Sequence, residues 1–156
     1  MIHAYTDGAT YRTNPGPMSW AVVYVDRNNI IREEIGALYA GTNNRAELLG
    51  VIWALEHEVS ESLTIFTDSI LTLNIATGIW HARTNVDLWS RFDIALEKRT
   101  RRGLTTNFQH VKGHHTNKYN KRADHLARVS AAQAAACLEE KNIEQDWSST
   151  RTNQRS

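Results

Sequence analysis

The chain has 156 residues, and eighteen Lys and Arg against seventeen Asp and Glu leave a formal net charge of +1. This length predicts a single domain, and the near balance of charge argues against a uniformly basic surface for nucleic acid. The single cysteine excludes an internal disulfide and a zinc site built from several cysteines.

The composition also bears on location and burial. No stretch approaches the roughly 20 apolar residues of a membrane-spanning helix, so we expect no membrane partner. No basic segment followed by an apolar run stands near Met1, which favours a cytoplasmic location. Cys137 lies in an Ala-rich run and is expected to be buried. Core positions are likewise expected for Trp20, Trp53, Trp80 and Trp89.

The first part of the chain predicts three strands in an antiparallel meander, followed by a helix. Runs rich in β-branched and aromatic residues predict strands over 2–6, 19–26 and 30–39. From Asn44 onward the apolar residues recur with the spacing of one helix face, from Leu48 to Val59.

The second part of the chain alternates between strands and helices. We predict a strand over 63–67, helices over 69–76 and 86–102, a strand over 105–111 and an Ala-rich helix from 119 to about 140. This order is typical of an α/β fold. We expect one domain over 1–141 and a polar, flexible tail over 142–156.

Acidic residues stand where predicted elements begin or end: Asp7, Glu47, Asp68 and Asp124. If the helix after the third strand delivers the fourth strand beside the first, those two strands run parallel. Asp7 and Asp68 then lie at neighbouring carboxyl ends, where open α/β sheets bind their ligands. Because gathered carboxylates repel one another and lose hydration, such a cluster indicates a site for divalent cations.

Each acid also has a purely structural interpretation. Asp7 precedes a glycine, which is typical of a hairpin turn. Asn44 and Glu47 have the spacing of a helix-capping box. Asp68 and Ser69 could cap the helix that follows them, and Asp124 lies in the first turns of its helix, where a negative charge is favourable.

Short strings around these acids form an ordered series. They are Thr6-Asp7-Gly8, Asn14-Pro15-Gly16-Pro17, Thr42-Asn43-Asn44 with Glu47-Leu48, Thr67-Asp68-Ser69, His110-Val111-Lys112-Gly113-His114 and Asn120-Lys121-Arg122-Ala123-Asp124. Together they resemble type 1 ribonuclease H, over about residues 2–135. The resemblance implies a ribonuclease H-like fold, with a five-stranded mixed sheet in the order 3-2-1-4-5 and helices on both faces.

The resemblance implies a metal-dependent endonuclease that hydrolyses the RNA strand of RNA–DNA hybrids by a two-metal-ion mechanism. Its products would carry 5′-phosphate and 3′-hydroxyl ends. The four acids, by match, would bind two Mg²⁺ ions, with Mn²⁺ as a substitute. The implied partner is an RNA–DNA hybrid, and we expect the protein to act as a monomer.

Further roles follow from the same match. His114 corresponds to the family histidine on the loop before the last helix, which is thought to assist proton transfer or product release. Substrate contacts fall on Gly8, Asn14, Thr42, Asn43, Asn44 and Asn120. Hydroxyl and amide groups of this kind can hold a DNA phosphate and the 2′-hydroxyl groups of RNA in a shallow minor groove.

Some features depart from the family pattern. The interval from Asp7 to Asn14 is one residue longer than usual, which predicts a bulged loop. Ile70 stands where the family often has a glutamine that faces the RNA. The basic protrusion that many bacterial members carry near Trp80 is missing, so we expect weaker hybrid binding.

Two questions stay open at this point. The basic run over 98–102 suits either the C-terminus of a helix or the attraction of phosphate. The rival functions are another nuclease of the same broad fold and a module that binds hybrids without cleaving them. Cleavage of a hybrid and of duplex DNA, with and without a chelator, would separate the functions.

Overall fold

The computed structural model describes residues 1–112 and 117–153, with side chains described as far as Asn142. The elements follow in the order β1 (Ile2–Thr10), β2 (Gly16–Asp26), β3 (Asn29–Gly41), α1 (Asn43–His57), β4 (Leu63–Thr67), α2 (Ile70–Ala76), α3 (Val86–Arg101), β5 (Thr106–His110) and α4 (Lys118–Asn153). All of the predicted strands and helices are therefore present; β4 has the predicted ends, and the other elements are shifted at one end or both.

The five strands form one mixed sheet in the order β3-β2-β1-β4-β5, which confirms the predicted topology. β1, β2 and β3 pair antiparallel, whereas β4 runs parallel to both β1 and β5. One face of the sheet is covered by α1, with α3 packed against α1. The other face is covered by α4, which contacts β1, β2 and β3. The fold is α/β with helices on both faces.

The first strand is longer than predicted, and this changes the setting of Asp7. We expected β1 to end before Asp7, but the strand continues because residues as far as Thr10 pair with β2. Pairing with β4 ends earlier, at Tyr5 opposite Phe66. Asp7 therefore lies inside an antiparallel strand pair and just beyond the last recorded parallel pair. The interpretation of Asp7 as a hairpin-turn residue is wrong.

The last helix is also longer than predicted. α4 continues from Lys118 to Asn153 instead of ending near residue 140. The division into a domain over 1–141 and a tail over 142–156 stays a prediction. Among the described residues, no helix combines the length and the apolar character that crossing a membrane would require.

Two predicted burials are wrong. Cys137 is exposed, because it lies beside a shallow groove between α4 and β3 rather than under the helix. Trp80 is 47% exposed, since it belongs to the connection after α2 and not to an element that covers the sheet. Trp20 and Trp89 are buried as expected.

A cluster of satisfied charges closes the end of the sheet where β4 and β5 begin. Arg99 is 2% exposed and donates to the carbonyl oxygens of Glu58 and Glu61 and to Thr106 Oγ1. The Glu58 carboxylate, also buried, accepts from the turn that follows it and from Arg32 Nη2 at 3.4 Å. Arg99 is thus a structural residue and does not serve as a phosphate-attracting side chain.

Candidate active site

Asp7, Glu47 and Asp68 converge where β1 leaves the side of β4. Each offers one carboxylate oxygen, and these oxygens all lie within 4.8 Å of one another. Asp7 is 4% exposed, and the other two are half-buried. The parallel register explains the meeting of two of them, because extending the Tyr5–Phe66 pair by two residues brings Asp7 level with Asp68.

Glu47 reaches the other two acids because α1 lies very close to β1 at Gly8. A Cβ atom at Gly8 would stand 2.3 Å from the Glu47 backbone nitrogen and 2.4 Å from the carbonyl carbon of Ala46. These atoms belong to the main chain and cannot move aside cheaply. Gly8 is therefore required for the close approach that brings Glu47 to the sheet.

The start of α1 leaves the Glu47 carboxylate out of the helix cap. Thr42 is the N-cap, and its Oγ1 accepts from the backbone N–H of Arg45 at 3.2 Å. The capping-box interpretation of Asn44 and Glu47 is therefore wrong. Gly8 and Thr42 together allow Glu47 to face Asp7.

A similar arrangement holds at Asp68. Ser69 caps α2, since its Oγ accepts from the backbone N–H of Thr72 at 3.1 Å. The backbone N–H of Ser69 donates to Thr67 Oγ1 at 3.1 Å. The cap of α2 is thus Ser69 and not Asp68, so the Asp68 carboxylate belongs to the acidic group.

Burial and like charge raise the pKa values of the two innermost acids. Burial raises the pKa of Asp7 to about 7, with a further rise from the charges of Asp68 and Asp124. Hydrogen bonds with Glu47 and with the N–H of Gly8 oppose this rise. Burial, and then the charge of Asp7, raise the pKa of Glu47 well above its usual range. Keeping the carboxylates of Asp7 and Glu47 both ionised therefore costs free energy.

The donor set fits a divalent cation. Glu47 Oε2 is buried and has no hydrogen-bond partner among the described residues. A buried acceptor beside two more carboxylates lacks positive charge, and a hard cation with oxygen ligands supplies that charge.

The fourth predicted acid stands apart. Asp124 lies near the start of α4, close enough for its charge to raise the pKa of Asp7. It is not a member of the group whose oxygens lie within 4.8 Å of one another. Its Oδ2 instead pairs with Arg128 Nη2 at 2.9 Å. A role for Asp124 in metal binding stays a prediction.

The prediction for His114 cannot be followed to the structure, because residues 113–116 lie outside the described residues. It therefore also stays a prediction.

Most of the predicted substrate residues gather at the start of α1. The Asn14 side-chain oxygen accepts from the backbone N–H of Asn43 at 3.0 Å. The Asn43 side-chain oxygen accepts from Thr10 Oγ1 at 3.2 Å. These bonds tie the β1–β2 loop to the helix, beside the exposed Thr42 and Asn44.

Asn120 is placed differently from the other predicted substrate residues. It is 6% exposed, and its Oδ1 finds no hydrogen-bond partner within the described part of the chain. The structure therefore encloses this side chain on α4. Its predicted contact with substrate stays a prediction.

The longer β1–β2 loop contains a tight turn centred on Arg12. The N–H of Thr13 donates to the carbonyl oxygen of Tyr11 at 2.7 Å, and Arg12 has a φ of 62°. A bond over two residues with a positive central φ defines the rare and strained form of γ-turn. The Arg12 guanidinium lies over the Tyr11 ring, 4.9 Å from its centre.

Sequence reasoning missed a groove beside the acids. It has a volume of about 490 Å³, and its lining includes Asn44, Thr72, Trp80 and Arg83. The sequence predicts a core position for Trp80, and Arg83 stands three residues later in the connection between α2 and α3. The available signal was an aromatic residue close to a basic one in a connection too short to bury either.

A mixed sheet of this order, with carboxylates gathered where its central parallel pair ends, defines the ribonuclease H-like class of α/β proteins. The RNase H family model matches residues 1–133, and the chain belongs to the ribonuclease H family of hydrolases.

Relatives of this chain include two bacterial proteins named ribonuclease H. The protein from Jannaschia sp. (strain CCS1) is 38% identical in an alignment 147 positions long that covers 83% of this chain and 90% of that protein. The protein from Ruegeria pomeroyi (strain ATCC 700808 / DSM 15171 / DSS-3) is 37% identical in an alignment 146 positions long that covers 82% of this chain and 90% of that protein.

Solved structures show the same likeness. LC11-RNase H1, in complex with an RNA/DNA hybrid, superposes with a TM-score of 0.70 at 27% identity and covers 86% of this chain and 99% of its own. RNase H1 from the halophilic archaeon Halobacterium salinarum NRC-1 superposes with a TM-score of 0.70 at 32% identity, covering 85% and 98%.

Proposed function

We propose that the protein is an endonuclease that hydrolyses the RNA strand of RNA–DNA hybrids with the help of two divalent cations. The observation that carries this proposal is the convergence of three carboxylates around a buried oxygen of Glu47 that has no hydrogen-bond partner in the described part of the chain. Acids at this position repel a polyanionic substrate unless cations are bound, so a simple binding module gains nothing from them. The hybrid bound to LC11-RNase H1 supports the choice of substrate.

The cation that we propose is Mg²⁺, with Mn²⁺ as a substitute, because hard cations favour carboxylate oxygen. Asp7, Glu47 and Asp68 would hold the first ion, and Asp124 would complete the ligand set for a second. A bound pair would activate water and stabilise the departing oxygen of an in-line displacement, leaving 5′-phosphate and 3′-hydroxyl ends.

The start of α1 would orient the strand that is cut. Its backbone N–H groups lie at the positive end of the helix dipole, which favours phosphate. The side-chain oxygens of Asn14 and Asn43 accept internal hydrogen bonds, so their Nδ2 groups would donate to substrate oxygens. Contacts of this kind, joined by Thr42 and Asn44, would recognise the 2′-hydroxyl groups that distinguish RNA from DNA.

The groove beside Asn44 would take the uncut DNA strand. Trp80 offers an exposed ring and Arg83 a cation within one short connection. An aromatic ring next to a guanidinium suits the sugar and phosphate groups of one strand. This connection would replace part of the missing basic protrusion.

Three further points belong to the same proposal. His114 would move a proton or assist product release. The protein would work in the cytoplasm, and it would act as a monomer.

The proposal is tested by cleavage of a hybrid with labelled RNA, in Mg²⁺ and in excess chelator. We expect RNA cleavage that the chelator abolishes and that Asp7→Asn removes. Asp93→Asn is the matched control, because it makes the same change at an exposed position on α3. End analysis should find 5′-phosphate and 3′-hydroxyl groups.

Other results would point to the rivals. Equal cleavage of duplex DNA would favour another nuclease of the same broad fold. Tight hybrid binding with no chelator-sensitive cleavage would favour a binding module.

A further inference from the structure

Arg128 stands beside Asp124 at the point where the fourth carboxylate would have to join the other three. The two residues are four apart on α4, and Arg128 Nη2 lies 2.9 Å from Asp124 Oδ2. The charge of Asp124 acts on Asp7, yet Asp124 is not part of the converged group. The guanidinium therefore engages the carboxylate that a second cation would require.

A guanidinium and a cation compete for such a carboxylate, and the guanidinium is the weaker of the two competitors. Both partners are largely exposed, with side chains 66% and 45% accessible for Arg128 and Asp124. Exposed pairs at this spacing change an equilibrium by only about a factor of two. Repulsion between the guanidinium and an arriving cation adds to this factor. Arg128 is thus a displaceable competitor.

We propose that Arg128 is a positioning residue that sets the affinity of the second cation by holding Asp124 aside. This inference rests on the proposed two-cation function. The two ions would differ in their dependence on Arg128. Asp7, Glu47 and Asp68 bind the first ion whether or not Arg128 is paired with Asp124. The other ion binds only as Asp124 exchanges the guanidinium for the cation.

The test is a titration of the full chain with Mn²⁺ in the absence of substrate. Electron paramagnetic resonance measures the concentration of free Mn²⁺ at each point. We expect Arg128→Gln to tighten the weaker Mn²⁺ equilibrium by about threefold to tenfold. Arg128→Lys keeps a charge that can pair with Asp124 and should stay close to the wild type. Thermal melting in chelator checks that each variant is folded.

The matched control is Arg101→Gln. Arg101 pairs with Glu97 at the same spacing on α3, with Nη2 2.7 Å from Oε1, at the end of that helix close to the buried Arg99 cluster. This variant loses an equivalent surface pair and the same charge, and its Mn²⁺ binding should match the wild type.

A second pair of variants shows whether the effect passes through Asp124. In an Asp124→Asn background, Arg128→Gln should tighten Mn²⁺ binding less than it does in the wild-type background, because only the repulsion between the guanidinium and the cation is then relieved. An equal shift in the two backgrounds would overturn the proposal, as would an Arg128→Gln profile equal to that of the wild type or of Arg101→Gln.

Failure of the underlying function looks different. If Asp7→Asn kept the tighter Mn²⁺ site, the three-carboxylate site itself would be refuted. If Asp7→Asn removed that site while Arg128→Gln changed nothing, only the role of Arg128 would fall.

Discussion

The two ends of the central sheet differ in how their buried charges are paired. At the end where β4 and β5 begin, Arg99 donates to three oxygens and Glu58 accepts from its own turn and from Arg32. At the other end, Asp7 and Glu47 face each other, and one oxygen of Glu47 has no partner among the described residues.

This difference shows which buried charges stabilise the fold and which ones destabilise it. A buried charge with complete hydrogen bonding supports the structure, and removing it leaves its partners unsatisfied. Like charges in a poorly hydrated site weaken the structure, and they persist because of what they can bind. Changes at the two ends should therefore affect stability with opposite sign.

The largest effect is expected at the satisfied end. Arg99→Ala leaves the buried carbonyl oxygen of Glu58, the partly buried carbonyl oxygen of Glu61 and a threonine hydroxyl without their donor, so the free energy of unfolding should fall by about 3–5 kcal/mol. Urea denaturation measures this loss. Arg101→Ala, on the exposed side of the same helix end, should stay within about 0.5 kcal/mol. Equal losses would mean that the Arg99 contacts contribute little.

Gly8→Ala should disrupt the acidic group sterically, because it prevents the close approach of α1 to β1. The new methyl group would lie 2.3 Å from the Glu47 nitrogen, so α1 must move away from β1. We expect a loss of about 2–3 kcal/mol in unfolding free energy and a loss of hybrid cleavage. Gly50→Ala is the control, because a Cβ atom there meets its nearest neighbour at 3.4 Å. A fully active Gly8→Ala variant would contradict the required close approach.

Asp7→Asn should abolish cleavage and yet stabilise the metal-free protein, by about 2 kcal/mol above neutral pH. The folded pKa of about 7 lies above the ordinary aspartate pKa of 3.8, so the wild type loses stability as pH rises between these values. The gain from Asn should therefore be larger at about pH 8 than at about pH 5. Chelator-containing melts at both pH values test this, and a gain independent of pH would contradict it.

The smallest expected effect concerns backbone strain at the end of the sheet that holds Asp7, Glu47 and Asp68. Arg12 and Arg27 both have a positive φ, 62° and 50°, and they lie in the loops at opposite ends of β2. Replacing either with glycine should raise the unfolding free energy by about 0.5 kcal/mol. Similar gains by thermal melting would show that the cost peculiar to the acidic end is electrostatic. A much larger gain at Arg12 would show added strain there.

Local patterns in the sequence were sufficient for the order of elements. The β-branched and aromatic runs of the first strands and the helical spacing from Leu48 to Val59 are properties of neighbouring residues. The extension of β1 past Asp7 depends on its partner β2, which neighbouring residues do not reveal. The enclosed position of Arg99 depends in the same way on carbonyl oxygens of Glu58 and Glu61.

The site was predictable in part for a similar reason. Asp7 and Asp68 follow from the parallel register alone, and Glu47 from the family match. The pairing of Asp124 with Arg128 has a local signal, since opposite charges four residues apart on a helix face each other. The groove at Trp80 has only the weak signal of a tryptophan near Arg83, because the rest of its lining comes from elements distant in the sequence.

The continuation of β1 through Asp7 has a consequence for motion. The backbone on either side of this carboxylate is bonded across the sheet to β2, so it can open only when the central ladder opens. Amide hydrogen exchange at Asp7 and Ala21, which face each other in this ladder, should be as slow as global unfolding. The floor of the site is thus rigid on the timescale of turnover, and adjustment to a substrate falls to the loops above it.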